Sequence, residues 1–449
     1  MPALRLQPDA LASLFTPPAH ARERIGLEVE TGVVDPRTGH AAPYEGPTGV
    51  KSILHTVLAE WGGQPRYDTD HLTAVHLPEG GLISVEHGGQ LEYSGAPAAD
   101  LAGAVDDARA AMQRLADVAE RFGLALLPGA YLPFDRPDAI RPVPMSRGPL
   151  MREHFAALGP AGSRGDSILA LSTSTQTHLD YLSPDDFTFK LRMQMAASTV
   201  VNALFVNSPL HDGAFDGVLS QRSQAWLYTD PRRCGPIPPA LRPDVTVDNV
   251  IDWALTLPMI YYVDGDGRHR PAPDRPFAAI MQQGFDDATT PTLEHWAYHL
   301  GQILTHVRVR RTLELRSADG PPYPHISALP ALWVGLSYHP ASCAAAWELL
   351  SRYTLQDHRT ATARLPRTGL DTLLGGDRLH ELALELVRLA RSGLEARVAA
   401  GVENPKTPHY LDPLDDILHT GNTFAHQSLQ RWEGDFARDP GRYVAAFRV

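Results

Sequence analysis

Two glutamates flank a Gly-Gly step in residues 80–97, which read GGLISVEHGGQLEYSGAP. Apolar residues alternate with polar ones on both sides of the step, and this pattern predicts two half-buried strands joined by a bend. Glycine permits a bend or a close backbone approach that a side chain would block. The carboxylates of Glu86 and Glu92, held beside such a bend, are oxygen ligands that Mg²⁺ accepts together with phosphate oxygens. A surface hairpin with solvated glutamates is the alternative interpretation.

Three other segments place ionic or amide side chains at positions i and i+2 of a predicted strand, where they share one face. The pairs are Glu28 and Glu30 in residues 24–34, Gln176 and His178 in residues 174–181, and Glu314 and Arg316 in residues 306–316. We expect residues 306–316 to form one strand that also presents Arg308 and Arg310 on this face. Any single pair fits a solvated sheet surface, but these segments concentrate Glu and Arg and contain no Lys.

A face with several carboxylates repels itself unless cations neutralise it, and hard divalent ions with oxygen ligands are suited to that task. Neighbouring arginines supply planar, permanently charged donors for phosphate or carboxylate groups. Mg²⁺, phosphate and a carboxylic acid in one cleft indicate ATP-driven activation of an acyl group. The sequence lacks the glycine-rich fingerprints of P-loop and Rossmann proteins, so we expect metal and arginine to hold the nucleotide.

The overall composition narrows the class of protein. The formal charge of −12 over 449 residues, without a Lys/Arg-rich block, argues against nucleic acid as a partner. No apolar run approaches the roughly 18 residues of a membrane span, and the N-terminus shows no basic region followed by an apolar one. We therefore expect a cytoplasmic protein without a membrane partner. Cys234 and Cys343 are too few for a disulfide framework and are interpreted as small buried residues in a reducing compartment.

Helical periodicity is strongest at residues 50–61, 100–121 and 184–206, and it dominates the chain beyond residue 324. Residues 127–166 are rich in Pro and Gly, which predicts a loop interrupted by a short helix at 151–158. No repeat or linker divides the chain. We expect one catalytic domain over residues 1–449, with the active-site strands within 24–320 and a mainly helical part at 325–449.

Several motifs, taken in order, resemble those of the glutamate-cysteine ligases of the plant and proteobacterial type. They are GLEVE at residues 26–30, SVEHGGQLEYSGAP at 84–97, LFVNSP at 204–209, LSQRSQAW at 219–226, LELRSADGPP at 313–322 and ALPALWVGL at 328–336. The resemblance runs nearly from end to end. It implies an α+β protein with a glutamine-synthetase-like catalytic fold, in which helices flank an antiparallel sheet curved into a funnel.

The resemblance also implies the first reaction of glutathione synthesis. ATP phosphorylates the side-chain carboxylate of glutamate, and the amine of cysteine attacks the γ-glutamyl phosphate. The implied Mg²⁺ ligands are Glu28, Glu30, Glu86, Glu92, Gln176 and Glu314. Arg316 is implied to contact the phosphates of ATP and, with Glu314, to be catalytic. Arg222 and Arg152 are implied to hold the substrate carboxylate. The partners are small molecules, and the oligomeric state stays open.

The chain departs from the family pattern at two places that concern the acceptor amine. His178 stands where the family has Asn, so it is either a structural histidine or a substrate-binding residue that adapts the pocket to another amine. Residues 146–148, Ser-Arg-Gly, replace Gly-Arg-Tyr. A γ-glutamyl ligase for a different amine and a non-catalytic relative that binds metabolites are therefore the alternatives. The regulatory cysteines of plant members have no evident counterparts, so we expect no thiol switch.

Overall fold

An antiparallel sheet holds the predicted polar pairs; it has nine strands in the computed structural model, which describes residues 6–17 and 21–449. The strands of the protein, in chain order, are β1 Ile25–Val34, β2 Gln64–Asp68, β3 His71–His76, β4 Leu82–Val85, β5 Leu91–Ser94, β6 Ala125–Pro128, β7 Thr175–Leu179, β8 Cys234–Gly235, β9 Tyr261–Val263, β10 His269–Pro271, β11 Leu304–Thr305, β12 Val307–Val309, β13 Leu313–Leu315, β14 Leu373–Leu374 and β15 Asp377–Arg378. The main sheet has the order β12-β13-β7-β1-β5-β4-β3-β2, and β6 pairs with the end of β1 beyond β7.

Helices surround this sheet. They are α1 Pro8–Leu11, α2 Val50–Trp61, α3 Leu101–Glu120, α4 Gly148–Ala157, α5 Gly165–Leu171, α6 Pro184–Leu204, α7 Gln221–Trp226, α8 Val247–Leu255, α9 Phe277–Gln283, α10 Leu293–Gly301, α11 Ala328–Ser337, α12 Pro340–Leu350, α13 Leu355–Thr368, α14 Leu379–Ala399, α15 Asp412–Thr420, α16 Phe424–Glu433 and α17 Pro440–Phe447. Short 3₁₀ turns lie at Ala12–Phe15, Pro137–Ala139, Gly159–Gly162, Pro238–Leu241, Tyr323–His325, Gly369–Asp371 and Thr407–Leu411.

Strand β1 separates the apolar core from the polar face, as its alternation predicts. Leu27 and Val29 are buried in the core, whereas Glu28 and Glu30 point to the opposite side and stay partly exposed. Helix α3 packs on β1, and α2 packs on β3 and α3. The core therefore lies on one face of the sheet, and the other face is left for polar side chains.

The C-terminal helices pack tightly enough that two glycines are required where α11 crosses α14. A Cβ atom at Gly335 would lie 2.1 Å from the carbonyl oxygen of Ala390, and one at Gly393 would lie 2.0 Å from that of Gly335. Such approaches exclude any side chain. Helix α11 also contacts β7, so this helical layer supports the strand that bears Gln176 and His178.

One sequence prediction about local structure is wrong, and another is confirmed. Residues 306–316 form the hairpin β12–β13 rather than one strand, with Arg308 opposite Glu314. The turn contains no Gly or Pro, so the alternation of the sequence continues through it. The short helix predicted at 151–158 within the loop of 127–166 is confirmed as α4, and the loop ends where α5 begins. A Cβ atom at Gly165 would lie 2.4 Å from the Phe155 ring, so glycine serves here for close helix packing.

Within the described ranges, none of the helices combines the length and the apolarity needed to cross a bilayer. Both cysteines are free thiols, and burial raises the pKa of each to about 12.

The alternation predicted for residues 174–181 corresponds to β7, and the predicted strands around Gly88-Gly89 correspond to β4 and β5. Both predictions are confirmed.

We predict that acid destabilises the protein through buried neutral histidines. Burial lowers the pKa of His299 to about 3 and that of His358 to about 4. In the unfolded chain each histidine takes up a proton as the pH falls below about 6.5, whereas in the folded protein it stays neutral. The free energy of unfolding therefore declines below that pH, by up to about 1.4 kcal/mol per pH unit for each histidine. Urea unfolding at a series of pH values measures this slope.

His299→Gln removes one such group while preserving a donor to the carbonyl oxygen of Ala254, which His299 Nε2 contacts at 2.9 Å. Between pH 4 and 6, the slope of the free energy of unfolding against pH should fall by about the contribution of one proton. His55→Gln, at an exposed position of α2, is the control and should leave the slope unchanged. An unchanged slope in His299→Gln would contradict the prediction.

Candidate functional site

A cleft of about 870 Å³ opens over the polar face of the sheet. Its lining includes most of the residues singled out in the sequence: Glu28, Glu30, Glu86, Glu92, Gln176, His178, Arg222, Glu314 and Arg316. These residues span nearly 300 positions of the chain. The geometry therefore brings together the polar pairs that the sequence shows only as separate segments.

Strand register places these side chains beside one another. Glu30 pairs with Glu92 and Glu28 with Gln176, on opposite sides of β1. Glu314 pairs with His178 across β13 and β7. Because directly opposed residues of antiparallel strands project from the same face, the register aligns a row of carboxylate and amide groups along one surface.

Glu314 holds two arginines at one end of this row. Arg308 Nε lies 2.7 Å from one Glu314 oxygen, and Arg316 Nη1 lies 2.5 Å from the other. Burial alone would raise the pKa of the Glu314 carboxyl, but these two arginines hold it well below its usual value. Glu314 therefore stays ionised and fixes both guanidinium groups.

Gln176 joins the arginine end to the acidic centre. Its Oε1 accepts a hydrogen bond from Arg316 Nη1 at 3.1 Å, and its Nε2 donates to Glu30 Oε1 at 3.0 Å. Ser174 Oγ accepts a further bond from the same nitrogen at 2.9 Å. The amide is thus oriented by its neighbours, with its oxygen toward the cation and its nitrogen toward the carboxylate.

Glu28, His178 and Glu314 form a compact set of potential metal ligands, with one ligand atom of each within 4.8 Å of the others. His178 Nε2 lies 3.1 Å from Glu28 Oε1. Burial opposes charge on both groups, yet their attraction raises the pKa of His178 and lowers that of Glu28. The sequence assigned His178 only to substrate binding, and its place opposite Glu314 could not be read from local spacing.

Glu30, Glu86 and Glu92 form the acidic centre, and none of them has an arginine within ion-pair distance among residues 6–17 and 21–449. Burial and the neighbouring Glu86 raise the pKa of Glu30 to about 8, although Arg222 and Arg316 oppose the shift. Burial and the carboxylates of Glu28, Glu86 and Glu30 raise the pKa of Glu92 well above its usual value. Bound divalent cations would relieve this repulsion, so the residues present fit a Mg²⁺ cluster.

Arg222 is rigidly held at the inner wall of the cleft. It lies on α7, whose first turn is capped by Ser220 Oγ accepting from the Ser223 backbone at 3.0 Å. Arg222 donates to the carbonyl oxygens of Ala318 at 3.1 Å and of Arg316 at 2.9 Å. Within the part of the chain that the structure covers, its buried Nε has no hydrogen-bond partner.

Arg152 differs from the other predicted site residues because it is absent from the lining of the cleft. Its Nε lies 3.2 Å from an Asp166 carboxylate oxygen, which links α4 to α5. Its assignment to substrate binding stays a prediction. Arg147, one turn earlier, does line the cleft and donates from Nε to His87 Nε2 at 3.3 Å.

Sequence reasoning missed Arg147, His87 and Trp226 as parts of the site, and it named Arg308 without giving it a role. The signal for three of them was present, because they lie inside or beside the motifs that contain Glu86, Arg222 and Glu314. Trp226 belongs to the site because it lies beside two of its arginines. The Cζ atoms of Arg222 and Arg316 lie 6.0 and 5.9 Å from its ring centroid.

Comparison with known proteins identifies the family. Glutamate-cysteine ligase family 2 matches residues 24–441, which is nearly the whole chain. The chain belongs to this family. The resemblance inferred from the motifs is thereby confirmed.

Members of glutamate-cysteine ligase family 2 from plants align over most of this chain. The chloroplastic glutamate-cysteine ligase of Nicotiana tabacum is 31% identical over 418 residues, covering 92% of this chain and 77% of the relative. That of Brassica juncea is 30% identical, covering 92% and 78%. The crystal structure of glutamate-cysteine ligase from Francisella tularensis in complex with AMP has a TM-score of 0.57 at 12% identity, covering 94% of this chain and 88% of that one. This likeness, with the antiparallel sheet and its helices, confirms the predicted α+β fold.

The prediction of a cytoplasmic protein is wrong by this comparison, because the plant relatives are chloroplastic enzymes. The physical reason is that composition reports only an aqueous, reducing environment. Net charge, the lack of long apolar runs and a low cysteine count are compatible with several compartments of that kind.

We predict opposite effects on stability for two glutamates of this ligase-family site. Glu314→Gln leaves Arg308 and Arg316 without their counter-charge, so it should lower the free energy of unfolding by about 3 kcal/mol. Glu92→Gln removes one of several repelling carboxylates, so it should raise the free energy of unfolding by about 1 kcal/mol without metal. Urea unfolding at pH 8 in the presence of a chelator measures both.

Glu79→Gln is the matched control, because Glu79 is 51% exposed and its nearest cation, Arg114, lies 3.9 Å away. Its effect should stay within about 0.5 kcal/mol. If Glu92→Gln were as destabilising as Glu314→Gln, the division of the site into a paired end and a repelling centre would be wrong.

Proposed function

We propose that the protein joins the γ-carboxylate of glutamate to the amine of cysteine, with ATP as phosphoryl donor and Mg²⁺ at the carboxylate cluster. The single observation behind this proposal is the crowding of Glu30, Glu86 and Glu92 beside an arginine-fixed Glu314 in one cleft. Such an arrangement suits a cation-bound polyphosphate next to a substrate carboxylate. The family assignment supports the same conclusion.

The proposed Mg²⁺ ligands are Glu28, Glu30, Glu86, Glu92, Gln176 and Glu314, whereas His178 is ion-paired with Glu28 and offers nitrogen where Mg²⁺ takes oxygen ligands. When bound, Mg²⁺ supplies positive charge that neutralises the phosphate oxygens of ATP and holds them near the acceptor carboxylate. Glu314 holds Arg316 through one oxygen and Arg308 through the other, so a bound metal would share these oxygens with the two guanidinium groups.

Arg316 is proposed to stabilise the phosphoryl group during transfer. Its guanidinium is oriented in advance by Glu314 and Gln176, so little reorganisation is needed as charge develops. A glutamate γ-carboxylate oxygen attacks the γ-phosphorus, and the bond to ADP breaks. The amine nitrogen then attacks the acyl carbon and loses a proton, and inorganic phosphate leaves with the former carboxylate oxygen.

Arg222 is proposed to bind the α-carboxylate of glutamate. Its guanidinium is buried and its two terminal nitrogens are held by backbone carbonyls, while Nε is free among the described residues. A fixed arginine of this kind favours a planar carboxylate over other anions.

A different acceptor amine is the second candidate, and His178 favours it. The family has Asn at this position, whereas His178 here forms an ion pair with Glu28 inside the cleft. Gly148 adds a second difference, because a Cβ atom there would lie 3.4 Å from His87 Nδ1 and an aromatic ring would therefore reshape this wall. A changed wall alters which amine fits.

We also propose that residues 1–449 form one catalytic domain. Arg397 on α14 lies 3.3 Å from Glu23, just before β1, and the Val449 backbone donates to Leu126 in β6 at 3.0 Å. Contacts of this kind tie the helical C-terminal part to the sheet that bears the site. Separate expression of residues 24–320 should therefore yield an insoluble or unfolded chain.

The acceptor is tested by measuring ADP release with Mg²⁺, ATP and glutamate while the amine is varied. Sustained release with cysteine, and product of the mass of γ-glutamylcysteine, is the expected result. Faster release with another amine would favour the second candidate, and release with none would refute ligase activity. His178→Asn should shift the preference toward cysteine if His178 selects the other amine.

We predict that Mg²⁺ together with ATP raises the melting temperature of the protein, because ligands that bind only the folded state stabilise it. Glu92→Gln should remove most of this increase and lower turnover by at least about 100-fold, since a metal ligand is lost. Glu79→Gln should retain both the increase in melting temperature and the wild-type turnover. Thermal melts and ADP release provide the two readouts, and a full Mg²⁺ response in Glu92→Gln would exclude Glu92 from the metal cluster.

A further inference from the structure

A second cavity, of about 440 Å³, lies behind the wall of the active cleft. The two cavities share Trp226, Leu304 and Arg316 in their linings. Its volume is within the range of small-molecule sites, which is roughly 300–1,000 Å³. None of the roles proposed above uses this space, which raises the question of what it could bind.

The charge of this second cavity is positive. Arg232, Arg316 and Arg359 line it, and among the described residues of its lining none is Asp or Glu. Arg316 and Arg232 have carboxylates behind them, since Arg232 Nε lies 3.6 Å from Asp230. Arg359, which is exposed on α13, forms no ion pair within the described ranges. In a protein with a net charge of −12, this lining is a local excess of positive charge, which favours an anion.

The walls of the second cavity are apolar and flat. Trp226 and Trp253 line it together with Pro231, Pro236 and Pro238. Indole rings and proline rings offer planar surfaces on which a flat apolar group can stack. The ligand suited to this lining therefore combines an anionic head with a planar body.

Two side chains in the lining have hydrogen-bonding groups without a partner among the described residues. Ser317 is 7% exposed, and its Oγ has no hydrogen-bond partner in the described part of the protein. Arg316 uses Nη1 for Glu314 and Gln176, and no hydrogen bond from its Nε or Nη2 is present among the described residues. Buried polar groups are normally satisfied, so these donors favour an acceptor within the cavity.

We propose that the second cavity binds a small organic anion, consisting of a carboxylate or phosphate attached to a flat apolar group. The anionic head contacts Arg359 and the Ser317 hydroxyl, next to Arg316, and the apolar body lies against Trp226 and Trp253. This site goes beyond the proposed function, because its ligand is neither glutamate nor ATP in the active cleft. Because Arg316 lines both cavities, the bound anion would lie directly behind the proposed phosphoryl site.

Isothermal titration of the full-length protein with phenyl phosphate and with phenylacetate tests the proposal without depending on turnover. We expect one equivalent of at least one probe to bind. Benzyl alcohol, which lacks the charge, and inorganic phosphate, which lacks the ring, should each bind at least about fivefold more weakly. The more tightly bound probe distinguishes a carboxylate ligand from a phosphate ester.

Arg359→Ala locates the binding, because Arg359 lines the second cavity and not the active cleft. It should weaken the preferred probe at least about fivefold. Arg364→Ala, at another exposed position on α13, should leave binding within twofold. Lack of binding to the wild-type protein at millimolar concentration, equal binding of benzyl alcohol, or unchanged affinity in Arg359→Ala would each overturn the proposal.

Discussion

Mutual repulsion among half-buried carboxylates is the interaction on which the rest of this structure depends. Glu28, Glu30, Glu86 and Glu92 lie on one face of a sheet, where water is partly excluded and like charges interact strongly. A fold that served only stability would not retain such a group. The apolar face of the same strands, packed on α2 and α3, provides the burial that offsets its cost.

Arginines divide the acidic row into two parts with different properties. At one end, Arg308 and Arg316 keep Glu314 ionised and are themselves held in place by it. At the centre, burial and neighbouring carboxylates raise the pKa values of Glu30 and Glu92. The first arrangement is complete within the protein, whereas external cations would relieve the repulsion in the second. This asymmetry suits the metal-nucleotide complex that we propose for the cleft, with fixed donors at one end and repelling acceptors at the other.

Trp226 connects the active cleft to the rest of the molecule. It follows Arg222 on a short helix and stands close to both Arg222 and Arg316. The two arginines are also joined through the backbone, because Arg222 donates to the carbonyl oxygen of Arg316. A disturbance on the far side of Trp226 would therefore reach Arg222 and Arg316. The second cavity lies on that side.

The sequence by itself determined which side chains share a face, because alternation along a strand is a local property of the backbone. It also determined the family, since the motifs around Glu86, Arg222 and Glu314 are contiguous stretches. Helix boundaries were predictable to within a few residues where the apolar period was long, as in α3 and α6.

Only the tertiary structure decided which strands are neighbours. Glu30 faces Glu92, and Glu314 faces His178, through pairings between residues 62 and 136 positions apart. Such pairings follow from the packing of the whole core and not from local spacing. For the same reason the hairpin at Arg310, the ion pair of Arg152 with Asp166 and the metal-ligand geometry of His178 were hidden in the sequence. Local periodicity states where a side chain points, and long-range packing decides what it meets there.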